Sequence, residues 1–198
     1  MSKTLVIHPR DSSTQALVHI YMNKGFDVIR DPNISRKELK TAIKNHDRII
    51  MLGHGTPLGL VHPDVQKYGR VLKKGHKPFI IDDSFADLLR EKETISIWCY
   101  SDQYFKRNSI PGFHTGMIIS EQIEALSMLG HCPLKKIDLI QNMVRLSKCI
   151  GECINEKPEK MKEYVLNHYV GDDEITQFNR QNIIVLKESN YEKQNINK

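Results

Sequence analysis

Two residues of this chain have the types needed for nucleophilic chemistry, provided the fold brings them together. The stretch RIIMLGHGTPLGL (Arg48 to Leu60) is an apolar run that breaks on Gly53-His54-Gly55, and TISIWCY (Thr94 to Tyr100) sets Cys99 at the end of a second apolar run. An imidazole beside a thiol takes up its proton and raises the fraction of thiolate, the reactive form of a group whose free pKa is about 8.5. Gly55 has no Cβ to hold a ligand away from its backbone N–H. Together with the N–H of Cys99 it is a candidate oxyanion site. Taken singly, a cysteine at a strand end reads as packing and a histidine as locally hydrogen-bonded. What carries the catalytic reading is that both residues terminate apolar runs.

The elements that must position them alternate. TLVIH (Thr4 to His8) is β-branched, and SSTQALVHIYMNKG after it reads as a helix with Ser12 and Gln15 as a capping box and Gly25 just past its end. FDVIRD is a second strand. SRKELKTAIKNHD opens on another capping box, Ser35 with Glu38, and RIIML is the third strand. A loop or hairpin from Thr56 to Lys77 leads to a helix in DDSFADLLREKE, capped by Asp83 or Ser84, and TISIWCY is the fourth strand. Further on, GFHTGMIIS reads as a fifth strand, EQIEALSML as a helix, and PLKKIDLIQNMVRLSKCIGECI as a helix with Pro133 in its first turn. EKMKEYVLNHY is one more helix, NIIVL a last strand, and ESNYEKQNINK a polar tail. Strand–helix alternation predicts a mostly parallel sheet covered on both faces, in which loops at the carboxyl ends of the strands collect the chemistry. One α/β domain is expected over residues 1–187, with a flexible tail over 188–198.

The segment GFDVIRDPNISRKELKTAIKNHDRIIMLGHG resembles the part of caspase-like cysteine peptidases in which a GF-x-V strand and a capped helix lead to an apolar strand ending in His-Gly. TISIWCYSD resembles their second apolar block, ending in the nucleophilic cysteine. The separation of His54 from Cys99 is close to the roughly 50 residues between the corresponding residues of caspases. The resemblance runs from Thr4 to Asp102 and takes in caspases, metacaspases, legumain, gingipain, clostripain and the CHAT-domain peptidases. It implies a three-layer caspase-like fold of flavodoxin-like strand order. It also implies a His54–Cys99 dyad that hydrolyses peptide bonds, and an oxyanion held by the Gly55 and Cys99 amides. Two residues before the nucleophile, where the family reads the substrate's P1 side chain (the one before the scissile bond), stands Ile97, followed by Trp98. Tyr100, Ser101 and Asp102 replace the glycine-containing segment that follows the cysteine in caspases. A charged P1 preference therefore does not carry over. Glu121 and Glu124 are candidates to face a cationic P1 group, against the plain alternative of a solvated helix face.

Composition narrows the remaining classes. The chain of 198 residues carries a formal charge of +5 and four cysteines, too few for a disulfide framework, and reduced thiols in the cytoplasm are the expectation. No apolar run reaches the roughly 18 residues that span a bilayer. Cys149 and Cys153 have no second pair to complete a metal site, and His131-Cys132 marks the approach to a helix more simply than a reactive thiol. No dinucleotide fingerprint or P-loop occurs, so no cofactor is expected. The cluster Lys73, Lys74, His76 and Lys77 lacks interleaved aromatics, which disfavours a nucleic-acid partner and leaves a protein or peptide substrate. The competing reading is a non-catalytic α/β module for partner recognition. Oligomeric state is left open.

Overall fold

The apolar runs pair as parallel strands. The computed structural model describes residues 3–68 and 78–187, so the terminal tail and the Lys73–Lys77 cluster lie outside the described residues. From the amino end come β1 (Thr4–Ile7), a 3₁₀ helix (Gln15–Ile20), β2 (Asp27–Ile29), α1 (Arg36–Lys44) and β3 (Arg48–Leu52). A hairpin of β4 (Gly55–Thr56) and β5 (Gly59–Val61) follows, then α2 (Pro63–Tyr68), β6 (Phe79–Ile81), α3 (Ala86–Arg90) and β7 (Glu93–Ile97). The remainder is α4 (Ser101–Arg107), β8 (Gly112–Thr115), α5 (Gln122–Leu129), α6 (Lys136–Glu152), α7 (Pro158–His168), α8 (Glu174–Gln181) and β9 (Ile183–Leu186).

The main sheet has the order β2-β1-β3-β7-β8-β9, and β4, β5 and β6 make a small antiparallel sheet of their own. The first five strands of the main sheet run parallel and β9 runs antiparallel to β8. Side chains alternate between two cores, as the pleat requires. Val6, Ile50, Leu52, Ile95 and Ile97 pack with Leu17 and Ile20 of the 3₁₀ helix and with Met143, Leu146 and Ile150 of α6. Leu5, Ile7, Ile49 and Met51 pack on the other face with Leu39 and Ile43 of α1, Leu89 of α3 and Tyr104 and Phe105 of α4. The result is three layers with the sheet in the middle. Among the described residues no helix is long and apolar enough to cross a membrane.

Several boundaries depart from expectation. The first helix is 3₁₀, and Ser12 and Gln15 form no capping box. Its backbone is met closely by α6, where a Cβ on Gly151 would lie 2.7 Å from the His19 carbonyl oxygen. The helix after β6 divides into a 3₁₀ turn (Asp83–Phe85) and α3, and its cap is Asp82, whose carboxylate accepts from Ser84 N. The Thr56–Lys77 stretch holds a hairpin and a helix, and α8 was not read from the sequence. Helix α6 begins at Lys136, so Pro133 precedes its first turn. The fourth strand stops at Ile97, and Ser101 opens α4 only three residues after Trp98.

Candidate active site

In an open parallel sheet the crevice for a ligand lies at the carboxyl ends of the strands, where the chain reverses its direction of winding. Here that point falls between β1 and β3, because the chain goes outward from β1 to β2 and then returns to β3 on the other side.

The turn after β1 is fixed by a buried histidine. His8 is fully enclosed; its Nδ1 lies 3.0 Å from Tyr21 Oη and its Nε2 3.1 Å from Thr14 Oγ1. Burial, reinforced by the Arg30 charge, lowers its pKa from 6.5 to about 4, and burial alone lowers that of His114 to about 3. Both are neutral in the folded protein at pH 7. Below about pH 6.5 the unfolded chain takes up protons that the folded one refuses, so stability falls with pH. By pH 5 the loss is about 2 kcal/mol for each residue. Urea unfolding at pH 7.5 and pH 5.0 measures this, with His8→Gln expected to flatten the dependence. Identical midpoints at the two pH values would refute it.

From that turn Ser13 reaches His54. Ser13 Oγ lies 2.7 Å from His54 Nε2 and 2.7 Å from Asp11 Oδ1, while Asp11 Oδ2 is 4.0 Å from the same imidazole nitrogen. With the Ser13 hydroxyl donating to Asp11 Oδ1, Ser13 Oγ accepts from Nε2–H and the Nδ1 lone pair is left as the base. The backbone around His54 is held as well. Gly53 N donates to Ile97 O across the ends of β3 and β7 (3.2 Å), and Val61 N donates to His54 O (2.9 Å).

Cys99 sits in the turn between β7 and α4. Trp98 is buried against Tyr104 and Phe105 on one face of the sheet, so the next side chain emerges toward the other. Tyr100 adopts a left-handed conformation with φ 65°, which bends the strand directly into α4. Its N–H donates to Gly116 O at 3.0 Å. Since β3 and β7 are paired in parallel, His54 and Cys99 come to one edge. Both border a cavity of about 40 Å³, together with Ser13, Gly53, Ile97 and Ser120. That volume holds little more than one or two water-sized groups.

Among the described residues no hydrogen bond joins His54 to Cys99. The thiol is directed instead to the Ile118 carbonyl (3.5 Å) and to Glu124 Oε1 (3.8 Å). Burial first, and the Glu124 carboxylate second, push its pKa up to about 12. The expectation that His54 raises the resting thiolate fraction is therefore corrected: at neutral pH the thiol of this conformation is protonated. Exchanging Glu124 for Gln removes the adjacent negative charge. Iodoacetamide modification of Cys99 at pH 8 is then expected to quicken by about tenfold. Glu124 also accepts from Ser120 N, Ser120 Oγ and Glu121 N at the start of α5, so a thermal melt must accompany the measurement. An unchanged rate in a stably folded variant would assign the high pKa to burial alone.

The other anticipated site residues fare differently. Ile97 is 2% exposed, part of the core and also the floor of the cavity. Glu124 is brought beside the thiol, whereas Glu121 supplies its backbone to the start of α5. Gly55 pairs opposite Leu60, and the bond from Val61 N to His54 O makes 55/60 a non-hydrogen-bonded pair whose N–H groups point away from each other. Its lack of a Cβ has a packing reason that the sequence did not reveal: a Cβ there would lie 2.0 Å from the Trp98 ring. Cys132 donates to Leu134 O, Cys153 to carbonyls of α6 and to Met161 O of α7, and among the described residues no group of His, Cys, Asp and Glu could hold a metal. Asp11 and Ser13 were missed. They follow the first strand in IHPRDSST, which matches no phosphate-binding motif, and the strand-order reversal that makes this turn important lies outside the local sequence.

The fold and this edge define an open α/β protein with a histidine and a cysteine at the carboxyl ends of adjacent parallel strands. Comparison with known families, curated proteins and solved structures found nothing that matches the chain.

Proposed function

We propose that this chain is a caspase-like cysteine peptidase in which His54 is the general base and Cys99 the nucleophile. The observation that carries the reading is that both side chains border one cavity at the ends of β3 and β7. The Asp11–Ser13 pair, which grips Nε2 of His54 and leaves Nδ1 for the thiol, supports it. In the reaction, Nδ1 takes the Sγ proton and the thiolate attacks the peptide carbonyl carbon. The C–N bond then breaks as His54 returns the proton to the leaving amine. Water, deprotonated by His54, cleaves the thioester and restores the thiol. The Cys99 N–H and the Gly55 N–H, which is turned away from Leu60, are the donors for the developing oxyanion; that of Tyr100 is engaged with Gly116. Before any of this the thiol must leave Ile118 and Glu124, and the segment from Ile118 to Glu124 must shift to admit a substrate carbonyl.

The protonated thiol and the small cavity favour a second reading, a non-catalytic recognition module of the same shape. Labelling with a library of peptidyl acyloxymethyl ketones separates the two. A covalent adduct that requires both Cys99 and His54 is the expected result for the peptidase. Modification of Cys99 that proceeds at the same rate in His54→Ala would leave the recognition module.

A further inference from the structure

We infer that Asn179 is a positioning residue of the candidate site: by fixing the peptide plane between Ile118 and Ile119 it holds the Ile118 carbonyl against the Cys99 thiol, and substrate reaches Cys99 when this clamp opens. The inference rests on the peptidase reading where it concerns substrate, although the clamp itself stands on separate observations. Strand β9 pairs with β8 as far as Thr115 and Ile183, and Asn182 O then accepts from Gly116 N at 2.9 Å. Beyond Gly116 the bonding passes from β9 to a side chain of α8. Asn179 is fully buried; its Oδ1 accepts from Ile119 N (2.8 Å) and its Nδ2 donates to Ile119 O (3.0 Å). One side-chain amide thus supplies the acceptor and the donor that a neighbouring strand would otherwise give.

The Ile118 carbonyl and the Ile119 N–H are the two ends of one planar peptide group, and they point opposite ways. One end is held by α8, and the other accepts from Cys99 Sγ at 3.5 Å. The carbonyl therefore cannot turn from the thiol unless the bond to Asn179 breaks. Asn179 is held in its turn. Its Nδ2 lies 3.5 Å from Tyr169 Oη, Tyr169 Oη donates to Asn142 Oδ1, and Asn142 Nδ2 donates to Thr176 Oγ1 at 2.7 Å. No member of this chain is more than 2% exposed, and so deep in the protein an unmade bond is costly. The same segment runs on into Ser120 and Glu121, whose N–H groups donate to Glu124, the carboxylate that faces the thiol. Asn179 thus anchors from behind the segment whose shift must precede catalysis.

Iodoacetamide labelling of the full-length protein at pH 8 reads the clamp, with the buried Cys153 at the end of α6 as internal control. Asn179→Ala is expected to quicken labelling of Cys99 by about tenfold or more and that of Cys153 by less than about threefold, since a lost clamp opens one segment whereas general loosening exposes both. On the best substrate from a library of acetylated octapeptides, the same variant should lower KM by about the same factor as it quickens Cys99 labelling. Its kcat should stay within about twofold, because only the fraction of open protein changes. A second measurement needs no variant. In the unmodified protein, Cys99 labelling and hydrogen exchange of the Ile119 amide should accelerate with urea along one shared slope, shallower than that of Cys153. Cys99 that labels while the Ile119 amide stays protected, or Cys99 and Cys153 quickened alike in Asn179→Ala, would overturn the clamp. Faster labelling of Cys99 with an unchanged KM would overturn its control of substrate entry. Faster labelling without Cys99-dependent cleavage of any peptide overturns the peptidase reading and keeps the clamp. Cleavage with KM and labelling both unmoved in Asn179→Ala overturns the clamp alone.

Discussion

Exchanging Cys99 for Ala is expected to lower kcat/KM on the best library peptide by about a thousandfold or more, and His54→Ala by a similar factor. The two act in one proton transfer, so the double variant should be no slower than either single one. Additive losses would mean that the residues do not work as a unit. Ser13→Ala should have a smaller effect of about tenfold, expressed in kcat and in a displaced pH profile, because Ser13 acts on the reaction only through the imidazole that it and Asp11 hold. Full activity in Cys99→Ala would end the proposal. The same series probes the resting state. Since the thiol begins protonated against Ile118 and Glu124, the pH dependence of alkylation in the free protein and that of turnover should differ, the latter reporting the rearranged dyad.

The largest structural effect is expected where the site meets the second core. Trp98 is 2% exposed and packs with Tyr104 and Phe105, and its ring occupies the space a Cβ on Gly55 would need. Trp98→Ala should cost about 3–5 kcal/mol through the cavity it leaves. Gly55→Ala should cost about 2–3 kcal/mol through overpacking against a ring that has nowhere to move. In the Trp98→Ala background the added methyl has room, so the second change should cost well under 1 kcal/mol, a clear non-additivity in urea unfolding. If Gly55→Ala were neutral for stability yet abolished labelling of Cys99, the glycine would be there for the oxyanion and not for the indole.

The strand ends that carry His54 and Cys99 were legible because their apolar runs are short, β-branched and followed by polar or turn-forming residues. The capping box of α1 was legible for a similar reason: Ser35 and Glu38 bond within one turn. Boundaries failed where a neighbour distant in sequence decided them. Ile97 ends β7 since Trp98 must turn onto the aromatic cluster, and the first helix tightens to 3₁₀ under α6. Glu124 read as a choice between a solvated face and a substrate contact. It is neither alone, because α5 starts beside Cys99 and its carboxylate both holds that start and faces the thiol.

By itself the sequence determined the class of fold and the presence of a histidine and a cysteine at strand ends, since periodicity, caps and turns are interactions within about a dozen residues. Only the tertiary structure decided that β3 and β7 are neighbours, that the β1 turn supplies Asp11 and Ser13 to His54, and that the thiol lies against Ile118 and Glu124. Strand order is chosen by packing across the whole sheet, and the protonation state of Cys99 by burial and by a charge twenty-five residues further along the chain. Neither leaves a mark on the local pattern of residue types.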